Sequence, residues 1–236
     1  MTEAFWQRLE REPPPGPPHG DRYGARMPDG RYLIQPLRPL PADPGLAVAS
    51  LISTQASFAV ERALSGWLAE LAQRFEPEVV VGLPTLGLVF ARPVAERLGH
   101  SNWVAAGYSR KFWYDERLAE PVSSITSPGE AKRLWLDPRM LPRLQGRRVL
   151  VVDDVISTGT SMAAALRLLA RAGVRPVAVC AAMLQSRRWF KALGDAPPVV
   201  GVFATPLFRR EAGGWIPDPG TLADSTCALL HSGGSV

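Results

Sequence analysis

The chain has 236 residues, 46% of them hydrophobic, enough for one well-buried core with an elaboration and too few for two full domains. No run approaches the roughly 20 apolar residues of a membrane helix, and the opening MTEAFWQRLEREPPP lacks a basic start followed by an apolar stretch, so a soluble, cytoplasmic protein is expected. The formal charge of +5 suits an anionic partner without separating nucleic acid from a phosphorylated small molecule, and two distant cysteines, Cys180 and Cys227, argue against a disulfide framework or a zinc site.

In chain order, residues 1–30 are rich in Pro and Gly, a composition that cannot bury enough apolar surface to order itself, so an arm that is extended or docks on the rest is expected. From Ala47 to Arg74, Leu51, Phe58, Ala63, Leu64, Leu68, Leu71 and Ala72 recur near helical spacing and predict a long amphipathic helix. Short β-branched runs then alternate with helical stretches. The runs are Val79 to Gly82, Trp103 to Gly107, Arg148 to Val155, a stretch from Val174, and another from Val199. Between them lie Leu88 to Leu98 and Thr160 to Ala172, the latter closed by Gly173 as a helix C-terminal cap. Nearly uninterrupted apolar strands separated by helices imply an α/β fold with a doubly wound parallel sheet, covered on both faces. Tyr108 to Arg147 breaks the rhythm: about forty residues with basic, aromatic and Pro positions, long enough to hold a lid over about 108–128. Residues after Ala204 suit a small cap.

The chemistry concentrates in RVLVVDDVISTGTSMAAALRLLARAG, where an apolar strand ends in two acids, crosses a loop of small residues and opens a helix. Ligands of a parallel sheet collect at the carboxyl ends of its strands, where Asp153 and Asp154 would sit. Ser157, Thr158, Gly159, Thr160 and Ser161 supply hydroxyls and backbone N–H groups at the positive end of the next helix, a site for a phosphate dianion. There is no Walker lysine and no GxGxxG after a strand, which disfavours a nucleoside triphosphate or a dinucleotide. A ligand with a monophosphate at one end and hydroxyls a few ångströms away fits; ribose 5-phosphate is one.

These thirteen residues, VLVVDDVISTGTS, closely resemble the signature of type I phosphoribosyltransferases that binds 5-phosphoribosyl 1-pyrophosphate (PRPP). The resemblance implies that Asp153 and Asp154 contact the ribose hydroxyls and Mg, the metal being held through water or those hydroxyls, and that Ser157 to Ser161 hold the 5-phosphate. It implies the fold as well, with a core about 47–204 and a small hood from about 31–46 and 205–236, so that 31–236 form one domain behind the 1–30 arm. VVVGLPTLGLVFARPVAERLG is similar to the family's pyrophosphate loop, with Pro84, Thr85, Leu86 and Gly87 at its tip; in the family this loop can contain an uncommon cis peptide. A plain helix start is the other reading. Ser109, Arg110 and Lys111 resemble the start of the family's flexible catalytic loop, whose cations cover the leaving pyrophosphate, so that Arg110 and Lys111 are catalytic candidates. Lys132 and Arg133 could share that role, a solvated basic loop being the alternative.

The implied reaction transfers the 5-phosphoribosyl group to a nitrogenous base and releases pyrophosphate, with a homodimer expected from the same resemblance. Where the hypoxanthine and guanine class carries an Asp, this chain has Ser157, so a purine-like acceptor in the manner of the adenine and xanthine classes, and a place in purine salvage, are expected. Asp115 and Glu116 are the candidates for a loop base. Phe208 and Trp215 are candidates for stacking on a planar acceptor, with packing as the alternative. The rival from another class is a regulator that binds PRPP or a nucleotide without catalysis. For that, Arg147/Arg148, Arg187/Arg188 and Arg209/Arg210 would have to form a basic face. No helix-turn-helix pattern accompanies them.

Overall fold

The structure is a computed structural model that describes residues 5–122, 132–194 and 196–223. In chain order its elements are β1 (Leu9–Glu10), β2 (Arg22–Arg26), β3 (Tyr32–Leu40), β4 (Asp43–Ala49), α1 (Phe58–Gln73), β5 (Val79–Gly82), α2 (Leu88–Arg97), β6 (Val104–Ala105), β7 (Ala119–Val122), β8 (Lys132–Trp135), α3 (Leu141–Leu144), β9 (Val149–Ile156), α4 (Thr160–Arg171), β10 (Pro176–Gln185), β11 (Val199–Thr205), β12 (Leu207–Glu211) and β13 (Gly214–Asp218).

The five-stranded core sheet has the order β11-β10-β9-β5-β6, with every pairing parallel. Alternate residues of the central strand feed opposite faces. Val149 and Val151 join a cluster with Met162, Leu168 and Leu169 of α4, while Leu150 and Val152 pack with Leu64 and Leu68 of α1 and Phe90 of α2. That two-sided burial is why the strand reads as a continuous apolar run. Each such aliphatic side chain contributes about 1.5–3 kcal/mol on leaving water. Cys180 lies in the second cluster, and burial pushes its thiol up to about 12, so it behaves as a small apolar residue.

A second, antiparallel sheet (β1-β3-β4-β12-β13, with β2 on β3) combines the two ends of the described chain. The Pro/Gly-rich arm docks by supplying β1 and β2, and it is fastened by the buried Trp6, whose indole N–H donates to the Ser50 carbonyl at 2.9 Å. His19 closes a bridge to Trp215 at the other end of the chain.

Two expectations change. The helix expected from Ala47 begins only at Phe58: residues up to Ala49 are strand β4, and the Ser57 hydroxyl accepts from the Val60 N–H as the helix cap. Tyr108 to Arg147 is not a single loop. It holds the β7–β8 hairpin, short 3-10 turns and α3, and the hairpin is tied to α4 by Glu120, which pairs with Arg167 at 2.6 Å and Arg171 at 3.2 Å. Residues 123–128 of the expected lid lie outside the described residues, as do 224–236 of the expected hood. No helix is long and apolar enough to cross a membrane among the described residues.

Candidate active site

The site forms where β5 and β9 end side by side. Val152 pairs with Gly82 and its carbonyl accepts from the Leu83 N–H, so the loop after β5 leaves the sheet directly beside Asp153. Gly87, at the start of α2, crosses that carboxylate so closely that no side chain would fit between them. The Pro84–Thr85 peptide bond is cis. The Ser53 hydroxyl, ahead of α1, donates to the Leu86 carbonyl at 2.9 Å and so holds the tip of the loop, with Thr85 exposed and Gly87 buried.

Asp153 and Asp154 are each only 8% exposed. Burial, followed by the charge of its neighbour, holds the Asp153 carboxyl well above its ordinary range; burial pushes Asp154 up to about 6 against the hydrogen bond that it receives from Asp153. Two adjacent buried acids with raised proton affinities favour a cation or a set of hydroxyl donors beside them. Tyr108, just past β6, lies within electrostatic reach of both acids: its phenol is raised first by burial and then by the charges of Asp153 and Asp154. Sequence reasoning had Tyr108 only as the start of the long interval, and nothing local in the chain marks it.

After β9 the chain turns through Gly159, whose φ of +80° places it in the left-handed region that favours glycine. A Cβ there would also come within 3.1 Å of Trp189 and Ala192. The turn sets the N-terminus of α4 above the sheet edge, with the Thr158 and Thr160 hydroxyls 3.0 Å apart and Ser161 exposed. Ser157 separates from this run. Its hydroxyl donates to Gln185 Oε1 at 2.7 Å and accepts from Arg188 Nη2 at 2.9 Å, across to the end of β10. Arg188 was legible in the sequence only as half of a basic pair.

The cationic candidates are placed less uniformly. Arg110 pairs with Glu116 at 3.0 Å and lies over the Trp135 ring at 5.5 Å, and Arg133 shares both partners. These contacts tie Arg110 to Glu116 and to Trp135 of the hairpin. Lys111 is exposed, and the Lys132 ammonium lies 5.9 Å from the centre of the Tyr108 ring. Asp115 chelates Arg117, and Glu116 is shared by Arg110 and Arg133. Phe208 is fully buried against Tyr23 and His19, and Trp215 packs in the same small hood core, which settles both as structural. Of the basic pairs, Arg147 and Arg148 both reach Glu78, and Arg209 pairs with Asp218. Arg187 and Arg210 lie over Phe190 and Trp215.

A parallel α/β sheet with an acid pair between two glycine-bearing loops at its carboxyl edge defines the class of protein. The sequence model of the phosphoribosyl transferase domain matches residues 49–197, and the chain belongs to that family, with the type I fold. The chain is 33% identical over 131 residues to an adenine phosphoribosyltransferase of Mycobacterium avium, covering 55% of this chain and 68% of that one. It is 35% identical over 111 residues to the transcriptional regulator GfcR of Archaeoglobus fulgidus, covering 47% of this chain and 48% of the regulator, and so spans about half of that relative's length. Among solved structures, adenine phosphoribosyltransferase from Rhodothermus marinus superposes with a TM-score of 0.55 at 24% identity, over 72% of this chain and 93% of that one. The Trypanosoma brucei enzyme, solved with AMP, pyrophosphate and ribose-5-phosphate, superposes with a TM-score of 0.51 at 16% identity, over 75% of this chain and 72% of that one. Both likenesses concern the fold.

Proposed function

We propose that this protein binds PRPP together with Mg and transfers its 5-phosphoribosyl group to a purine-like base, releasing pyrophosphate. The observation that carries the reading is the lateral order at the sheet edge: the Thr85–Gly87 loop, the Asp153–Asp154 pair and the Thr158–Ser161 turn lie on two adjacent parallel strands and the helices that follow them. That order matches a ligand with pyrophosphate, ribose diol and 5-phosphate in sequence.

In this reading the backbone N–H groups at the start of α4 and the hydroxyls of Thr158, Thr160 and Ser161 hold the 5-phosphate. Asp153 and Asp154 accept from the ribose hydroxyls and fix the ring, so that C1 is held in line between its leaving group and the incoming nitrogen. The close passage of Gly87 brings the pyrophosphate loop against that ring. Lys111, with Arg110 released from Glu116, covers the pyrophosphate as charge accumulates on it, which stabilises the transition state more than the ground state. Closure of that segment also keeps water from competing with the base.

Mg fits the acid pair as a shared site. Two adjacent buried carboxylates are suitable oxygen donors, while no group of three metal-ligating side chains occurs among the described residues, so substrate oxygens would complete the shell. When bound, the ion supplies positive charge that neutralises the leaving pyrophosphate.

A homodimer, a cytoplasmic location and a role in purine salvage belong to the same reading and rest on the family likeness. The second reading, a regulator that binds PRPP without turnover, is favoured by the likeness to GfcR. Isothermal titration with PRPP and Mg, followed by a pyrophosphate-release screen across adenine, guanine, hypoxanthine, xanthine, uracil and orotate, separates the two. Binding with release supports the transferase, binding without release supports the regulator, and no binding removes both.

A further inference from the structure

The guanidinium of Arg188 is half-buried at the carboxyl end of β10, where its Nε donates to Ser186 Oγ at 3.1 Å and its Nη2 to Ser157 Oγ at 2.9 Å and Gln185 Oε1 at 3.3 Å. All three partners are neutral. Among the described residues no carboxylate compensates it, and burial alone lowers its proton affinity. A cation held this way loses part of its hydration, which neutral oxygens only partly replace, and an oxygen-bearing ligand would complete its set. Its Nη1 group has no protein partner among the described residues.

The neighbouring groups define what that ligand must offer. Gln185 is oriented by its two ends: Nε2 donates to the Ala49 carbonyl at 2.8 Å, so Oε1 faces Ser157 and Arg188. The Ser157 proton is committed to that Oε1. The oxygens of Ser157, Gln185 and Ser186 are thus each already engaged, and the Arg188 Nη1 group keeps two N–H donors for a ligand.

Position indicates which part of the reaction the donors serve. The pyrophosphate loop follows β5, on one side of β9, while Gln185 and Arg188 follow β10, on the other side, beneath the hood strand β4 through Ala49. In a displacement at C1 the nucleophile enters opposite the leaving group, so the β10 side is the acceptor side.

We infer that Arg188, braced by Ser157 and Gln185, binds an oxygen-bearing edge of the acceptor, so that bases presenting an oxo or carboxylate oxygen are used in preference to an amine-bearing base such as adenine. This rests on the phosphoribosyl-transfer reading above. Two N–H donors facing an exocyclic amine leave both sides unpaired, a mismatch that lowers kcat/KM by about 100-fold or more.

The test compares wild type, Arg188→Gln and Arg188→Lys by PRPP titration with Mg and by pyrophosphate release with adenine, hypoxanthine, xanthine, guanine and orotate. The expected result is turnover with an oxo base or with orotate at least about 100-fold above adenine. Arg188→Gln should then lose most of that preference, with PRPP affinity within about threefold of wild type, and Arg188→Lys should recover part of it. Which oxygen-bearing base responds separates an oxo edge from a carboxylate. Preference for adenine that is unchanged in Arg188→Gln overturns the inference and leaves the transferase standing. Loss of PRPP affinity in Arg188→Gln also overturns it, by assigning the arginine to the 5-phosphate. Absence of PRPP binding by wild type removes the underlying reading itself.

Discussion

A Cβ built on Gly87 would lie 2.5 Å from Oδ1 of Asp153 and 2.8 Å from its Cα, closer than a side chain can approach. The pyrophosphate-loop candidate and the ribose candidate are thus in mutual contact, although they belong to different βα units.

Gly87→Ala must push the loop away from the acid pair, because the Leu83 carbonyl, 2.8 Å from the same added carbon, blocks the other direction. We expect a stability loss of about 1–3 kcal/mol from overpacking and at least a tenfold weaker PRPP affinity by titration. An unchanged affinity would show that the loop does not take part in binding.

Asp153→Asn with Asp154→Asn should abolish PRPP binding without lowering the melting temperature. The folded state raises the Asp154 pKa from 3.8 to about 6. Between those values the folded chain holds more of this proton than the unfolded chain, so stability falls as pH rises through the window and levels off above it. Asp154→Asn lacks that loss. Relative to wild type its melting temperature should therefore climb between about pH 4 and pH 6.5, ending a few degrees higher. A difference that stays flat across a pH series counts against the buried acid pair.

Lys111→Ala should lower kcat by about 10–100-fold with PRPP affinity within threefold, since a cation that closes over developing charge acts in the transition state. Arg110→Ala should behave similarly only if the arginine leaves Glu116 during turnover. Titration set beside steady-state rates distinguishes these outcomes, and equal losses in affinity and rate would make the role one of ground-state binding.

Glu120 fastens the β7–β8 hairpin to α4, with its side chain 6% exposed and its two arginines more than half exposed. Removing both cations, Arg167→Ala with Arg171→Ala, strands a buried charge and should cost about 2 kcal/mol in urea unfolding. Glu120→Gln leaves no charge to strand and should cost less. Equal costs would mean that the pairs contribute packing alone.

The Val149–Ser161 strand, acid pair and turn could be read directly from the chain because their contacts are local: an apolar run, two acids, a glycine, then helical spacing. The parallel α/β class followed from the same alternation. Other features depend on which strands lie side by side, and local pattern does not carry that information. Arg188 meets Ser157 across 31 residues because β10 lies against β9, and Glu120 meets Arg167 across 47 because the hairpin folds onto α4. Ends of the chain that looked like an arm and a cap share one sheet because β4 pairs with β12. Phe208 and Trp215, candidates for stacking with packing as the commoner alternative, are packing residues because that sheet closes over them. Sequence alone determined the candidate sugar-phosphate segment; long-range strand pairing, which depends on the whole chain's burial rather than on neighbours in sequence, decided what surrounds it.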